Sequence, residues 1–171
     1  MTSEPTSEPT SAADARRRVT ELVRAARICM LTTIGVDGRL VSRPMAVQAA
    51  QFDGDLWFFA YAHSAKVRQL RVNPEVDVSF SDQRDHSWVS LSGTAQESYD
   101  RARAERLWNP ALKAWFPDGP ETGGLTLIKV HAGAARYWDA PSGTMVNLLG
   151  LARAAATGKP PQAGENGAVT F

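Results

Sequence analysis

A chain of 171 residues is long enough to bury the core of one domain and short for two. Its 19 Lys and Arg residues balance 18 Asp and Glu residues, and the net charge of +1 excludes a general electrostatic attraction to nucleic acid or to an anionic membrane. The single cysteine, Cys29, excludes a disulfide framework, and no segment approaches the roughly 20 apolar residues of a membrane span. These properties predict one cytoplasmic domain in which any anion site is local.

The first predicted elements are a tail and a helix. Residues 1–13 open with two copies of Thr-Ser-Glu-Pro, and this polar, low-complexity stretch predicts a disordered tail. Ser11 and Asp14 then offer a capping start, after which apolar side chains recur at helical spacing. The pattern predicts an amphipathic helix near 14–26 that is built on Ala15, Val19, Leu22, Val23 and Ala26.

Most of the remaining chain is predicted to be strand. Turn signals at 36–38 and 52–54 separate the first runs. Connections this short favour antiparallel meander or Greek-key pairing, and this many short strands in one small domain usually close into a barrel of the mainly β (α+β) class. The runs that are apolar, or that alternate apolar with polar residues, are 28–34, 39–50, 55–61, 75–81, 87–97, 125–131 and 134–139.

Three helical segments are predicted among and after these strands. A short helix follows Ser64 and stops at Asn73-Pro74, because proline cannot continue a helix. A second segment covers 101–116 with a break at Asn109-Pro110, and a third covers 144–156.

The end of the chain is predicted to be less regular. Residues 164–171 have the character of a polar loop with a possible last β-bridge. We therefore expect a domain over 14–157, preceded by the tail 1–13 and followed by a C-terminal extension over 158–171.

The familiar catalytic and metal-binding motifs are missing. The three histidines lie in different predicted elements and have no metal-ligand spacing, so no metal site is expected. The chain has no GxSxG, no GxxxxGKS and no GxGxxG, which excludes the common nucleophile and phosphate-loop signatures. No catalytic residue can be assigned from the sequence.

A strand-to-helix junction at 63–68 is the first candidate site. A helix N-terminus carries unpaired N–H groups and a partial positive charge. A Ser64 hydroxyl at that point and a Lys66 ammonium in the first turn could therefore hold a phosphate. The alternative is that Ser64 only caps the helix and Lys66 is only solvated.

A second candidate is the strand that contains Arg43-Pro44. Proline removes a hydrogen-bond donor from the sheet ladder and is confined to edges, first positions and bulges, so this strand is expected to face something other than another strand. Arg43 can place a fixed cation beside a phosphate or an anionic ring, and Met45 can pack on an aromatic face. Five tryptophans exceed what a small barrel interior needs, although core packing is the alternative for each of them.

Several segments together resemble one known family. They are SRPMAV, FDGDLWFFAYAHSAKVRQL, NPEVDVSFSD, WVSLSGTA, LWNPALKAWFP and ARYWDAPSG. The chain resembles, over about residues 15–171, the FMN-binding split β-barrel family related to pyridoxamine 5′-phosphate oxidase, and within it the general stress protein branch. The resemblance implies a six-stranded antiparallel Greek-key split β-barrel with flanking helices, a homodimer, and FMN bound at the dimer interface.

The resemblance also implies site residues. One strand would line the flavin ring and ribityl chain, a second would pass along the ring, and the junction would hold the phosphate. The partner chain would contribute two tryptophans, and a further tryptophan would cover the cofactor. In that order the implied residues are Ser42, Arg43, Pro44 and Met45; Phe59 and Ala60; Ser64 and Lys66; Trp88 and Trp138; and Trp115.

The implied function is that of a flavoprotein, an oxidoreductase that takes electrons from NAD(P)H. The Arg-x-His segment that grips pyridoxal phosphate in a true pyridoxamine phosphate oxidase is replaced by 139–143 and a further predicted helix, which argues against vitamin B6 oxidation. The alternatives are a flavin-binding stress protein without turnover and a deazaflavin-dependent reductase. In each case the chemistry would belong to the flavin, with the protein setting its orientation and local charge.

Overall fold

The computed structural model describes residues 11–48, 52–82, 86–139 and 165–170. The first element is helix α1 (Ala12–Ala25), which begins at the N-cap Ser11, where the Ser11 Oγ accepts a hydrogen bond of 3.1 Å from the Asp14 backbone N–H. Its apolar stripe of Ala15, Val19 and Val23 is buried against the sheet. The predicted amphipathic helix is therefore confirmed, with a start two residues earlier than expected.

The described residues form seven antiparallel strands in one sheet. Six of them pair in the order β2–β1–β4–β5–β6–β3, and β7 pairs with β6. The Gln48 backbone N–H donates to the Trp57 carbonyl over 3.4 Å and so brings the two ends of this path together. The strands are β1 (Ile28–Ile34), β2 (Leu40–Ala46), β3 (Asp55–Tyr61), β4 (Glu75–Asp82), β5 (Ser87–Glu97), β6 (Leu125–Asp139) and β7 (Glu165–Thr170).

The curled sheet is an antiparallel split barrel with flanking helices, which confirms the predicted fold class. The barrel interior holds one apolar cluster, and a second lies outside β3 and the first half of β6. Because β3 supplies side chains to both clusters, it is buried on both faces, and this explains its uninterrupted apolar sequence. Cys29 belongs to the interior cluster, where burial raises the pKa of its thiol to about 12 and keeps it protonated.

Strand β6 differs from its prediction, because the two expected strands at 125–131 and 134–139 are one continuous strand. The pairing with β5 shifts by one residue between Ser92 and Gly93, so that Gly133 has no register partner. A single-residue bulge of this kind lets a strand bend without ending. The glycine that interrupts the apolar alternation therefore marks a bulge within the strand.

Strand β7 is a second difference. The expected polar loop with one bridge is a six-residue strand that pairs with β6 from Ala134↔Thr170 to Asp139↔Glu165. Strand β3 pairs with β6 only over Leu125–His131, so the second half of β6 has an open edge that β7 occupies. The low hydrophobicity of 165–170 hid this strand, because its pairing supplies hydrogen bonds more than apolar burial.

The helices that follow β3 and β5 agree with the sequence. Helix α2 (Ala65–Val72) has Ser64 as its N-cap and ends before Pro74. Helix α3 (Arg101–Leu107) is followed by a separate 3₁₀ helix (Pro110–Ala114), which confirms the break at Asn109-Pro110. A further 3₁₀ turn covers Gly119–Glu121. The helix expected at 144–156 lies outside the described residues. Within the described ranges, none of the helices has the length and apolar character needed to cross a bilayer.

Candidate functional site

A cleft of about 290 Å³ opens between strands β2 and β3, the first turn of α2 and the 3₁₀ helix Pro110–Ala114. Its lining joins residues that the sequence analysis had assigned to one site from three separate segments. These are Arg43, Pro44, Met45, Phe59, Ala60, Lys66 and Trp115.

Arg43 is the most firmly held charge in the cleft. Its Nη1 donates to the Thr33 Oγ1 over 2.7 Å and to the Leu31 carbonyl over 3.2 Å, and its Nη2 donates to the Gln69 Oε1 over 3.0 Å. The Thr33 hydroxyl also donates to the Gln69 Oε1 over 2.7 Å, so β1, β2 and α2 share one polar network. All of these acceptors are neutral, so none of them offsets the positive charge of the guanidinium.

Lys66 lies on the same helix as Gln69 and faces the same cleft. Burial, and after it the nearby charge of Arg43, lowers the pKa of the Lys66 ammonium. Among the residues that the structure describes, no carboxylate pairs with either cation. Two partly buried positive charges that repel one another and lack a counterion form a site that favours an anion.

Ser64 caps α2 in an unusual way. Its side chain makes no capping hydrogen bond, and its Oγ atom is shielded from solvent without a hydrogen-bond partner in the described part of the chain. A buried hydroxyl of this kind normally has a partner. Ser64 does not line the cleft, but it immediately precedes the helical turn that carries Lys66. The junction therefore holds, close in sequence to Lys66, a hydroxyl that has no hydrogen-bond partner among the described residues.

The cleft also has an aromatic and apolar part. We call Leu112, Trp115 and Phe116 the aromatic wall, because these three residues of one segment contribute to its lining. The Phe116 ring lies 5.0 Å from the ring of Tyr61 and 6.1 Å from that of Phe59, measured between centroids. Trp115 is 59% exposed. Large flat side chains that line a cleft suit an aromatic ligand.

The structure adds lining residues that the sequence reasoning missed. They come from β1, the end of β2, the end of β3 and the 3₁₀ segment: Ile28, Ala46, Gln48, Tyr61, Leu112 and Phe116. Only Phe116 and Tyr61 carried a signal, as members of the aromatic-rich segments that had been noted. Gln48 falls within the predicted strand 39–50 and carried no signal of its own.

Three other predicted site residues do not line this cleft. Ser42 is an exposed residue of β2, and its hydroxyl contacts the Thr32 hydroxyl at 2.8 Å. Trp88 and Trp138 are register partners on β5 and β6 and are 43% and 45% exposed. Their predicted contact with a cofactor bound by a partner chain stays a prediction.

A larger cleft of about 520 Å³ lies between the end of α1 and strands β4 and β5. It contains none of the predicted site residues, and the charges of Arg18 and Glu21 on its rim form an ion pair of 3.1 Å. Volume alone would select this cleft. The smaller one is the better candidate because its cations have no acidic partner among the described residues.

Comparison with known proteins agrees with this selection. The family described as pyridoxamine 5′-phosphate oxidase like matches residues 14–162 of the chain. The chain belongs to this pyridoxamine 5′-phosphate oxidase-like family. Among its curated relatives is protein bli-3 of Neurospora crassa, which is 33% identical over 140 residues, a span of 77% of this chain and 67% of bli-3.

Solved structures of similar proteins share the fold. A structure described as general stress protein 26 from Jannaschia sp. CCS1 has a TM-score of 0.75 and 26% identity, and the match covers 93% of this chain and 99% of that one. The general stress FMN/FAD binding protein from Xanthomonas citri has a TM-score of 0.65 and 31% identity over 74% of this chain and 89% of its own. The predicted family resemblance is thus confirmed.

Proposed function

We propose that the cleft binds flavin mononucleotide and that the protein is a flavoprotein of the general stress type. The observation that carries the proposal is the pairing of two partly buried cations, Arg43 and Lys66, with an aromatic wall in one cleft. The phosphate of the ligand matches the two cations, and its flat ring matches the aromatic wall. The flavin-binding relative from Xanthomonas citri supports the same ligand class.

The residues of the junction fit such a ligand. The Ser64 hydroxyl, which has no partner among the described residues, would donate to a phosphate oxygen after turning toward the cleft, and Lys66 can add a charge at the N-terminus of α2. Arg43 is braced in place and needs no rearrangement to present its charge. Pro44 and Met45 on β2, and Phe59 and Ala60 on β3, supply the apolar sides for the ring.

We further propose that the flavoprotein is an oxidoreductase that uses NAD(P)H. Bound FMN supplies the acceptor for a hydride and the means to pass electrons onward. The residues that line the cleft include no carboxylate and no histidine within the described part of the chain. Direct hydride transfer requires neither, so the role of this chain is to bind and orient the ring and to set its local charge.

The same observation favours a second candidate function. A cleft whose described lining has no carboxylate and no histidine also suits a protein that binds or sequesters flavin without turnover. A deazaflavin-dependent reductase is the third candidate, since the ring of a deazaflavin would meet the same aromatic wall. The cytoplasmic location, and the expected lack of nucleic-acid and membrane partners, stay predictions.

A homodimer is part of the proposal. The cleft of about 290 Å³ is at the lower limit of ligand pockets, roughly 300–1,000 Å³, so a nucleotide would extend beyond it. Trp88 and Trp138 form an exposed aromatic pair on the outer sheet face, and such patches often mark protein interfaces. A second copy could cover both.

The test begins with the absorption spectrum of the purified protein, before and after addition of FMN. We expect a flavin spectrum and saturable quenching of flavin fluorescence, with FMN bound more tightly than riboflavin and than the deazaflavin. Steady-state oxidation of NADH and NADPH then separates the two functions, because a binding protein shows no turnover above free FMN. If the protein binds neither FMN, nor riboflavin, nor the deazaflavin, the proposed function is refuted.

A further inference from the structure

We propose that Gln48 is a positioning residue, whose side-chain amide holds the aromatic wall in place over the cleft. The inference rests on the proposed flavin function, because it assigns the wall to the ring end of that ligand. Gln48 itself is a residue that the sequence did not single out.

Gln48 is buried and fully engaged. It is 4% exposed, and its backbone N–H donates to the Trp57 carbonyl where β2 and β3 meet. Its Nε2 donates to the Ala46 carbonyl over 3.2 Å, and its Oε1 accepts from the Asn109 Nδ2 over 3.0 Å. A buried amide is costly unless both ends are hydrogen bonded, so this pair resists separation.

Asn109 passes this restraint to the wall. Its Oδ1 accepts from the Ala111 N–H over 3.1 Å, and its carbonyl accepts from the Leu112 N–H over 3.1 Å, so it caps the 3₁₀ helix Pro110–Ala114. Trp108 is extended and Pro110 has no N–H, so α3 does not continue into this helix. The direction of the 3₁₀ helix therefore depends on Asn109, and Asn109 is held by Gln48.

The far end of the segment has its own anchor. The Tyr61 hydroxyl donates to the Trp115 carbonyl over 2.9 Å. Besides the packing of Leu112 and Phe116 in the second apolar cluster, two hydrogen-bonded residues restrain the aromatic wall: Gln48 through Asn109, and Tyr61 directly. Both line the cleft themselves. Loss of the Gln48 anchor would leave the start of the 3₁₀ helix less restrained while the barrel stays closed.

This arrangement predicts a signature that a phosphate contact cannot produce. The wall faces the ring, which FMN and riboflavin share. Gln48→Leu should therefore weaken binding of both ligands by the same factor, roughly three- to tenfold, the range that loss of one hydrogen bond produces. The preference for FMN over riboflavin should be unchanged.

The experiment uses the full chain with Gln48→Leu, Asn109→Ser and the double variant, titrated with FMN and with riboflavin. Serine keeps a capping oxygen but is too short to reach Gln48. We expect each single variant to weaken both ligands and the double variant to be no weaker than the worse single one. Gln96→Leu is the matched control, because Gln96 is an exposed glutamine on β5 away from the cleft.

Amide hydrogen exchange of residues 111–116 in the ligand-free protein provides a readout that needs no flavin. We expect faster exchange in both single variants and wild-type exchange in Gln96→Leu. Additive losses in the double variant, a loss for FMN alone, or unchanged exchange would overturn the role of Gln48. If the wild-type protein binds no flavin, the proposed function fails, and the exchange data still decide whether Gln48 holds the wall.

Discussion

At the scale of single residues, the unusual feature is an uncompensated pair of cations. Arg43 is held by the neutral acceptors of Thr33 and Gln69, and Lys66 faces the same cleft without an acidic partner in the described part of the chain. Burial and mutual repulsion make this arrangement unfavourable until an anion arrives. Residues that cost stability without a ligand and gain it with one are typical of binding sites.

The first prediction concerns ligand choice. Lys66→Met should remove a charge-assisted contact worth about 1.5–3 kcal/mol, and FMN affinity should fall roughly ten- to hundredfold. Riboflavin lacks the phosphate, so its affinity should barely change. Fluorescence-quench titrations of both ligands measure this. Lys113→Met is the control, since Lys113 is exposed and does not line the cleft. Equal losses for the two ligands would mean that Lys66 acts through structure.

The second prediction concerns stability and pH. The pKa of Lys66 is lowered in the folded state. Between this lowered pKa and 10.5, the Lys66 side chain therefore binds fewer protons in the folded protein than in the unfolded chain. The charge on Lys66 therefore costs stability at neutral pH, and the cost is relieved as pH rises from the lowered pKa to the ordinary value of 10.5. Ligand-free Lys66→Met should melt higher than wild type at neutral pH, by no more than about 2–4 °C.

Melting scans from pH 7 to pH 10.5, with and without FMN, check the sign. The gap between the ligand-free proteins should narrow as pH rises. Saturating FMN should reverse the order at neutral pH, because only wild type gains the phosphate contact. A variant that melts lower than wild type without ligand would show that the Lys66 charge is stabilising.

At the scale of elements, the long strand β6 depends on one crowded glycine. A Cβ at Gly93 would collide with the His131 carbonyl oxygen, which is backbone and cannot move aside. The clash lies beside the bulge at Gly133, where β6 bends between its pairing with β3 and its pairing with β7. The close approach of β5 and β6 at this point keeps one strand continuous across both halves of the sheet.

The third prediction follows from that contact. Gly93→Ala should destabilise the fold by about 1–3 kcal/mol or more, as overpacking in a rigid setting does. Gly123→Ala is the matched control, since a Cβ at Gly123 has no atom within 4 Å. Urea unfolding followed by tryptophan fluorescence gives both free energies. Equal stabilities of the two variants would contradict the close packing of β5 on β6.

For the molecule as a whole, the outer sheet face carries aromatic side chains that the described residues leave partly exposed. Trp88 and Trp138 lie opposite one another across β5 and β6, and both are about half exposed. Each strand alternates strictly here, with the neighbouring Val89 and Tyr137 buried inside the barrel. The tryptophans therefore are not core residues, and a partner surface is the simplest reason for their position.

The fourth prediction is a homodimer that uses this face. Sedimentation and light scattering at micromolar concentration should give twice the chain mass of 18.5 kDa. Trp138→Arg should weaken the dimer by roughly thirtyfold or more, as loss of an aromatic hot spot does. Tyr99→Arg, another exposed aromatic residue outside the sheet, should leave the mass unchanged. A monomer with undiminished flavin affinity would contradict a site shared between two copies.

Several parts of the fold could be predicted because their signals are local. Helix α1 repeats apolar residues at helical spacing after a capping serine, and β1 alternates buried and exposed positions. Pro74 and Pro110 stop the preceding helices, because the proline ring removes the backbone N–H that a continuing helix would need. For the cleft, Arg43, Lys66 and Trp115 came from short motifs and a family resemblance, and the cleft brings them together.

The order of most elements, the antiparallel character of the strands and the likeness to one flavoprotein family could be predicted from the amino-acid sequence, because each depends on local patterns. The remaining features depend on how distant segments pack. The tertiary structure joined 125–131 to 134–139, made 165–170 a strand, and placed Gln48 and Tyr61 as anchors of the aromatic wall. Backbone pairing at an open sheet edge and hydrogen bonds between residues 61 positions apart, as between Gln48 and Asn109, leave no periodic trace in the chain. They exist only once packing has brought those segments together.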